Sequence, residues 1–303
     1  MPSPSIVLTP PKTEGRNEPV DPNLVRIRDL IYKVCGIYLA DNKMFFLQDR
    51  ARRRLHALGI QSFAGYYDVL TTGADRTDET RSLLNEITVG ETCFFRNQPQ
   101  LSAVQKLILP KVMQSKAKSA LQQLKIWSAG CSTGEEAYTL AILLTEISSS
   151  VLKGWNWEIV ATDLNDNSLT RAQQGLYDEY SLRNVETLLR TKYFRREGER
   201  FELSGDVKKR VAFSRLNLQD ESKMMFMRAI DIVFCANVLI YFDGASKRRT
   251  VQHFYNSLLP GGYFFLGHSE SLYGIHDKFQ LVHFPGATAY LRAPESSPAG
   301  GER

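Results

Sequence analysis

Hydrophobic and polar positions follow two different rhythms along this chain. From Asp21 to about Leu84, apolar residues recur at helical spacing and Gly36, Gly59 and Gly73 punctuate them, which predicts a small all-helical unit. In its second helix Leu47, Ala51, Leu55 and Leu58 share one face at 3.6 residues per turn, while Lys43, Arg50, Arg53 and Arg54 gather on an adjoining flank. After Pro99 a helical stretch runs to about Ser119, and the pattern then changes. Short apolar runs at Leu124–Ala129, Trp157–Thr162, Val211–Arg215, Ile230–Cys235 and Tyr263–Gly267 alternate with helical segments. Continuous apolar runs of that length read as strands covered on both faces, hence a βαβ arrangement with a parallel sheet. Phe279–Phe284 and Ala287–Arg292, joined through Pro285-Gly286, predict an antiparallel hairpin closing the sheet edge. Between about Leu176 and Val211 the alternation is interrupted, and Tyr193–Arg195 and Arg200–Leu203 around Glu197-Gly198 predict a small inserted hairpin. The expected organisation is a disordered tail over 1–20 with five prolines, a helical domain over 21–90, an α/β domain over 91–292 carrying an insertion at 176–211, and a tail over 293–303.

Composition narrows the class without naming a function. At 303 residues, 43% apolar and 23% charged, the chain can bury a large core and is neither collagen-like nor low in complexity. The apolar stretch Ile230–Tyr241 is broken by Asn237, and the start at Met1 lacks a charged region followed by an apolar one, so no membrane or secretory segment is expected. Cys35, Cys93, Cys131 and Cys235 form no Cys-x-x-Cys pair, and the five histidines do not cluster with them. No disulfide framework and no metal site are expected, and a cytoplasmic location is the default. A net charge of +5 does not imply nucleic acid, but between Leu24 and Ile60 eight Lys and Arg face three acids, so the basic character concentrates there.

The strongest chemical signal is Trp127-Ser-Ala-Gly-Cys-Ser-Thr-Gly-Glu-Glu-Ala-Tyr138, which follows the first strand and opens a helix. Gly130 and Gly134 let the backbone turn sharply and approach a ligand closely. The segment lacks the Gly-Lys-Ser/Thr of a P-loop and the spacing of a dinucleotide fold. Glu135 and Glu136 stand where a diphosphate would be repelled, which points to a cationic or phosphate-free ligand. An ordinary strand-to-helix turn, with acids favoured by the helix dipole, accounts for the same residues. The second strand ends at Ala161-Thr162-Asp163, where an acid can accept hydrogen bonds from a ribose diol or cap the next helix. Together the two signals describe a site for S-adenosylmethionine, whose cationic groups suit glutamates and whose ribose suits Asp163.

Glu91-Thr-Cys-Phe-Phe-Arg96, Ser128–Tyr138, Ala161–Asp163, Asn217-Leu218, Cys235-Ala-Asn-Val-Leu-Ile-Tyr-Phe242 and Leu259-Pro-Gly-Gly262 occur in this order, and from about Asp21 to Arg292 the chain resembles the chemotaxis receptor glutamate methyltransferases, the CheR family. The resemblance implies a class I S-adenosylmethionine-dependent methyltransferase (Rossmann-like) sheet domain with a helical N-terminal domain and a small inserted β-subdomain. It implies methyl transfer to glutamate side chains on the cytoplasmic helices of chemoreceptors, by a protein expected to act as a monomer without nucleic acid or membrane insertion. By position Gly90, Thr92, Arg96, Gly130, Glu136, Asp163, Asn217, Leu218, Ala236 and Asn237 would line the cofactor pocket with Glu135 beside them, and Arg96 and Tyr241 would stand nearest the transferring methyl. Ala236 departs from the Arg common in the family, and Gly90 from a polar residue found in some relatives. The turn at Glu197-Gly198-Glu199 is shorter than in relatives that grip a receptor's terminal peptide, which implies no reliance on such a tether.

A glutamate acceptor is already ionised at pH 7, its ordinary pKa being about 4.3, so the chemistry calls for alignment and dehydration rather than a general base. Arg96 would orient the acceptor carboxylate, or pair with Glu91 or Glu86 in a purely structural role. Tyr241 would contact the acceptor or the methyl, or be a core tyrosine satisfied by backbone. Lys43, Arg50, Arg53 and Arg54 would steer an acidic helix to the cleft, or form a solvated face. A methyltransferase acting on another protein or a small acid, and a non-catalytic cofactor-binding or receptor-docking module, are the rival readings.

Overall fold

The computed structural model describes residues 20–294 except Val89, Lys118 and Ala120, so the expected tails lie outside the described residues save for Val20 and residues 293–294. Four helices come first. Helix α1 (Pro22–Cys35) starts with Pro22 behind the Asp21 cap, whose side chain accepts from Asn23 N, and ends at Gly36 in the left-handed region. Helices α2 (Met44–Leu58), α3 (Phe63–Thr72) and α4 (Arg76–Ile87) pack with it through Leu24, Ile27, Leu47, Ala51, Leu55, Tyr66, Leu83 and Leu84, all buried. Leu58 shares the helical face of Leu47 and Leu55 by spacing, but it lies in the last turn before the reversal at Gly59 and is 43% exposed.

A helical run follows as α5 (Gln98–Ala103), a π-turn at Val104–Ile108 and α6 (Leu109–Ser115), with Pro110 in the first turn of α6, where its missing N–H costs little. The chain then alternates through β1 (Gln123–Ala129), α7 (Glu135–Glu146), β2 (Asn156–Asp163) and α8 (Asp166–Gln174). The insertion holds β3 (Leu176–Tyr177), α9 (Thr187–Tyr193), β4 (Phe194–Glu197) and β5 (Arg200–Leu203), followed by α10 (Gly205–Lys208). The last part comprises β6 (Val211–Arg215), α11 (Glu221–Met224), β7 (Ile230–Cys235), α12 (Gly244–Ser257), β8 (Leu258–Leu266), β9 (Phe279–Phe284) and β10 (Ala287–Arg292).

The main sheet runs β6-β2-β1-β7-β8-β10-β9. Its first five strands are parallel, and β10 pairs antiparallel with both β8 and β9. The inserted hairpin gains β3 as a third strand, which at two residues is too short to leave a pattern in the sequence. Alternation along β1 divides the core. Leu124 and Ile126 join the cluster containing Leu140 and Ile142 of α7, while Trp127 and Ala129 join the cluster that also holds the α1–α4 residues and Phe254 of α12. The helical unit is thus bonded to one face of the sheet by shared apolar burial. Strand order reverses between β1 and β7, and a crevice opens at the carboxyl ends of the strands there. Among the described residues no helix is long and apolar enough to cross a membrane.

Candidate active site

The crevice is a cavity of about 930 Å³ walled by the sheet loops, by Gly90–Cys93, Arg96 and Asn97, and by Ile37, Tyr38, Lys43 and Phe46 of the helical unit. Its floor is the turn after β1. Gly130 and Gly134 have φ of +76° and +93°, and a Cβ on Gly130 would lie 2.4 Å from Val238 Cγ2. Only glycine serves here, for conformation and for space. Ser132, also at positive φ, donates its N–H to Asp163 Oδ2 at 2.7 Å, while Asn165 N donates to Oδ1 at 2.8 Å. Asp163 therefore ties the first strand-helix turn to the end of β2 and still faces the crevice.

Burial dominates the electrostatics. Glu136 lines the cavity, accepts from Ser128 Oγ at 2.8 Å, and has its carboxyl pushed up to about 7 by burial, with Arg96 pulling it down and Glu270 adding to the rise. Burial also raises Asp163 against its backbone hydrogen bonds. Glu135 does not line the cavity. Its carboxylate accepts from Thr133 Oγ1 at 2.6 Å and Ser181 Oγ at 3.3 Å, so it buttresses the insertion against the turn instead. Neighbouring helical residues point about 100° apart, so α7 presents one glutamate to the crevice and the other away from it.

Gly90, Thr92, Arg96, Asn217, Leu218, Ala236, Asn237 and Tyr241 all line the same cavity. Arg96 Nη1 donates to the Glu91 carbonyl at 3.0 Å. The Glu91 carboxylate is instead approached by Tyr180 and Arg183, and that of Glu86 by Arg53. Phe94 is a core residue, packed edge-on to Tyr177 and Phe194 at 4.8 and 5.0 Å between centroids. β7 stops at Cys235, where the apolar run in the sequence also ends. Asn237 takes φ +61°, and Leu239–Tyr241 form a single 3-10 turn that leaves Tyr241 46% exposed at the cavity, not in the core. Asn217 Nδ2 donates to Val34 O at 2.7 Å, joining the cavity wall to α1.

The basic flank of α2 is divided. Lys43 lines the cavity, but Arg50, Arg53 and Arg54 do not. Arg54 grips Glu79 with two hydrogen bonds of 3.0 and 2.7 Å while Tyr66 donates to the same carboxylate at 2.6 Å. Arg53 and Arg50 share Asp49, at 3.1 and 3.6 Å. Acids of α2 itself and of α4 thus neutralise most of the charge that the sequence assigned to substrate steering. Residues the sequence reading missed also meet here: Tyr38, Phe46, Ser132 and, behind the wall, Glu270. Ser132 was legible inside the glycine turn, whereas the others depend on tertiary placement.

The residues fit S-adenosylmethionine. Ser132 Oγ is buried with no partner among the described residues, and a Cβ on Gly90 would lie 2.6 Å from it, so a donor-acceptor group waits beside a cradle that a side chain would fill. Glu136 and Asp163 offer carboxylates to an ammonium and a diol, and among the described residues Arg96 and Lys43 are the arginine and lysine that line the same cavity. All four cysteines are buried free thiols, and burial pushes Cys35 up to about 12. Among the described residues no group of His, Cys, Asp and Glu could hold a metal ion.

Comparison with known proteins agrees with this geometry. Residues 22–88 match the all-alpha domain of CheR methyltransferases, and residues 90–287 match the SAM binding domain of CheR methyltransferases. The chain is 34% identical over 274 residues to chemotaxis protein methyltransferase 2 of Vibrio cholerae, covering 90% of this chain and 93% of that one. It is 33% identical over 254 residues to the chemotaxis protein methyltransferase of Borreliella burgdorferi, covering 83% and 88%. With the chemotaxis protein methyltransferase of Escherichia coli it shares 30% over 274 residues, covering 89% and 90%.

Proposed function

The chain belongs to the CheR methyltransferase family, with the class I methyltransferase fold and S-adenosylmethionine as cofactor, and from that premise we propose that it methylates glutamate side chains on the cytoplasmic helices of chemoreceptors to give glutamate 5-O-methyl esters. The reading includes action as a cytoplasmic monomer, without nucleic acid and without the terminal-peptide tether that a longer turn than Glu197-Gly198-Glu199 would serve. The observation that carries it is the meeting of Arg96, Tyr241 and Lys43 with the enclosed carboxylates of Glu136 and Asp163 in one cavity.

The cofactor supplies an electrophilic methyl that a carboxylate oxygen can take. The protein's own work is positional. Arg96, with Nη1 committed to the Glu91 carbonyl, has its remaining N–H groups free to hold one acceptor oxygen while the other is left to react. Gripping the acceptor too tightly would stabilise the ground state as much as the transition state, so orientation rather than charge is the contribution of this arginine. The Tyr241 hydroxyl, half exposed on its 3-10 turn, provides a second orienting donor. Tyr38 and Phe46 complete an apolar wall, and Lys43, in the turn just before α2, is the member of the predicted basic flank that lines the cavity and can meet an acidic helix.

Transfer of tritiated methyl to a receptor cytoplasmic fragment tests the proposal, with the label expected to be released by mild base as esters are. A base-stable label would favour another acceptor chemistry. Cofactor binding with no transfer would favour the non-catalytic reading, for which Ala236, in place of a common arginine, is the supporting feature.

A further inference from the structure

We propose that Glu270 is a positioning residue, which holds the loop Asn237–Tyr241 in the conformation that turnover requires. Three facts converge on it. Glu270 Oε2 accepts from Asn237 N at 2.7 Å and from Gly267 N at 2.8 Å, and Oε1 accepts from Ile240 N at 3.2 Å. The N–H groups of Asn237 and Ile240 belong to the segment between β7 and α12 that leaves regular structure, and Asn237 stands at φ +61° within it. Asn enters the left-handed region more readily than most residues, but a free chain samples it only part of the time, and the bonds to Glu270 select it here.

The arrangement is closely fitted. The turn Gly267–Glu270, closed by Glu270 N to Gly267 O at 3.0 Å, folds the side chain back under the loop. A Cβ on Gly267 would lie 2.8 Å from Glu270 Oε2 and 2.9 Å from Asn237 N, so the glycine leaves the room in which carboxylate and loop meet. Tyr241 lies one residue beyond Ile240, and its carbonyl accepts from Tyr38 N at 2.9 Å. The tyrosine is therefore fixed from two sides through its backbone, with Glu270 on the sheet side, while its ring stays free for the cleft. Hydrogen bonds from N–H groups to a carboxylate are stronger than those to a neutral acceptor, which suits Glu and not Gln to this place.

The inference rests on the esterification reading. That reading fails in the wild-type protein, as an absence of transfer; the inference fails separately, as follows. In Glu270→Gln the amide nitrogen must face either the Asn237 and Gly267 N–H pair or the Ile240 N–H, and the loop is released on that side. Methyl-transfer kcat is expected to fall by about 10- to 100-fold. S-adenosylhomocysteine affinity is expected to weaken by less than kcat falls, because Asn237 lies in the released loop whereas Gly130, Glu136 and Asp163 lie outside it. In a Tyr241→Phe background the further loss from Glu270→Gln should be less than about threefold, since both changes strike one unit. Glu270→Asp, which keeps two acceptor oxygens on a shorter arm, should fall between wild type and Gln. Wild-type turnover in Glu270→Gln, or equal proportional losses in both backgrounds, would overturn the proposal. One measurement needs no variant: in the wild-type protein the amide protons of Asn237 and Ile240 should resonate downfield, as carboxylate-bonded N–H groups do, and random-coil positions would also overturn it.

Discussion

Replacing Glu136 by Gln separates what the site needs from what the fold prefers. Burial lifts this carboxyl from 4.5 to about 7, so the folded apoprotein holds the proton more tightly than the unfolded chain does. The folded state therefore loses stability as pH rises from about 4.5 to about 7, and above 7 the loss is complete. At 1.36 kcal/mol per unit, the cost relative to a neutral side chain is about 3 kcal/mol at pH 8 and about 1 kcal/mol at pH 5. Glutamine keeps the shape and removes the charge. In urea denaturation without ligand, Glu136→Gln should be more stable than wild type by roughly those amounts, the difference growing with pH. A variant no more stable at pH 8, or an advantage that does not change with pH, would refute the claim that this carboxylate is held against its solvation.

Binding should run the other way. A ligand ammonium beside Glu136 requires the ionised carboxylate, so S-adenosylhomocysteine affinity of the wild type should rise about tenfold between pH 6 and pH 8 and then level off. Calorimetric titration should find weaker and pH-flat binding in the variant. At a ligand concentration near 100 Kd, wild type gains about 2.7 kcal/mol, which would cancel most of the variant's advantage at pH 8.

Arg96→Lys keeps the charge and loses the planar fork; we expect about a hundredfold loss of kcat with S-adenosylhomocysteine affinity changed by less than threefold, measured by label transfer and calorimetry. Near-normal turnover would remove orientation as the role of Arg96. Lys43→Glu should raise the acceptor KM about tenfold and leave cofactor affinity alone, with the effect shrinking at high salt. Arg54→Ala should cost about 3 kcal/mol in urea denaturation, because Glu79, 5% exposed, stays buried with the Tyr66 hydroxyl as its partner. Unchanged stability with a raised acceptor KM would instead return Arg54 to substrate steering.

Much of this was legible in the chain because it is local. The Gly130-to-Gly134 turn, its carboxylates and Asp163 at the end of β2 are fixed by strand-turn-helix geometry, and the apolar runs that set the sheet carry their own periodicity. Three things were not local. The acids that neutralise Arg53 and Arg54 include Glu86 and Glu79 on α4, and no reading of one helical face reports what the next helix brings to it. Glu270 meets Asn237 from 33 residues away through a turn whose closure the sequence does not advertise. The end of β7 at Cys235 was legible, but the conformation after it was not, because the left-handed Asn237 is held by a side chain far along the chain.

The two family-matched segments, 22–88 and 90–287, share one site rather than adjoining at it. Ile37 bridges to Phe242, Tyr38 N bonds Tyr241 O, Asn217 Nδ2 holds Val34 O, and on the other flank Asn165 Nδ2 donates to the carbonyls of Asn85 and Thr88 at 3.0 and 2.7 Å. The first three of these contacts join residues that border the cavity to the helical unit, and the Asn165 bonds hold it beside Asp163, so shifting that unit would move Tyr241, loosen the Asn217 wall and admit water together. A site that works by alignment rather than by acid-base chemistry gains most from such coupling, since a displacement of about 1 Å can cost about a hundredfold. The apolar cluster common to α1–α4 and the sheet face, with Leu24, Leu47 and Trp127 fully buried in it, makes that displacement expensive. Rigid attachment of the helical unit is therefore part of the catalytic apparatus, as Glu270 is on the opposite side of the same loop.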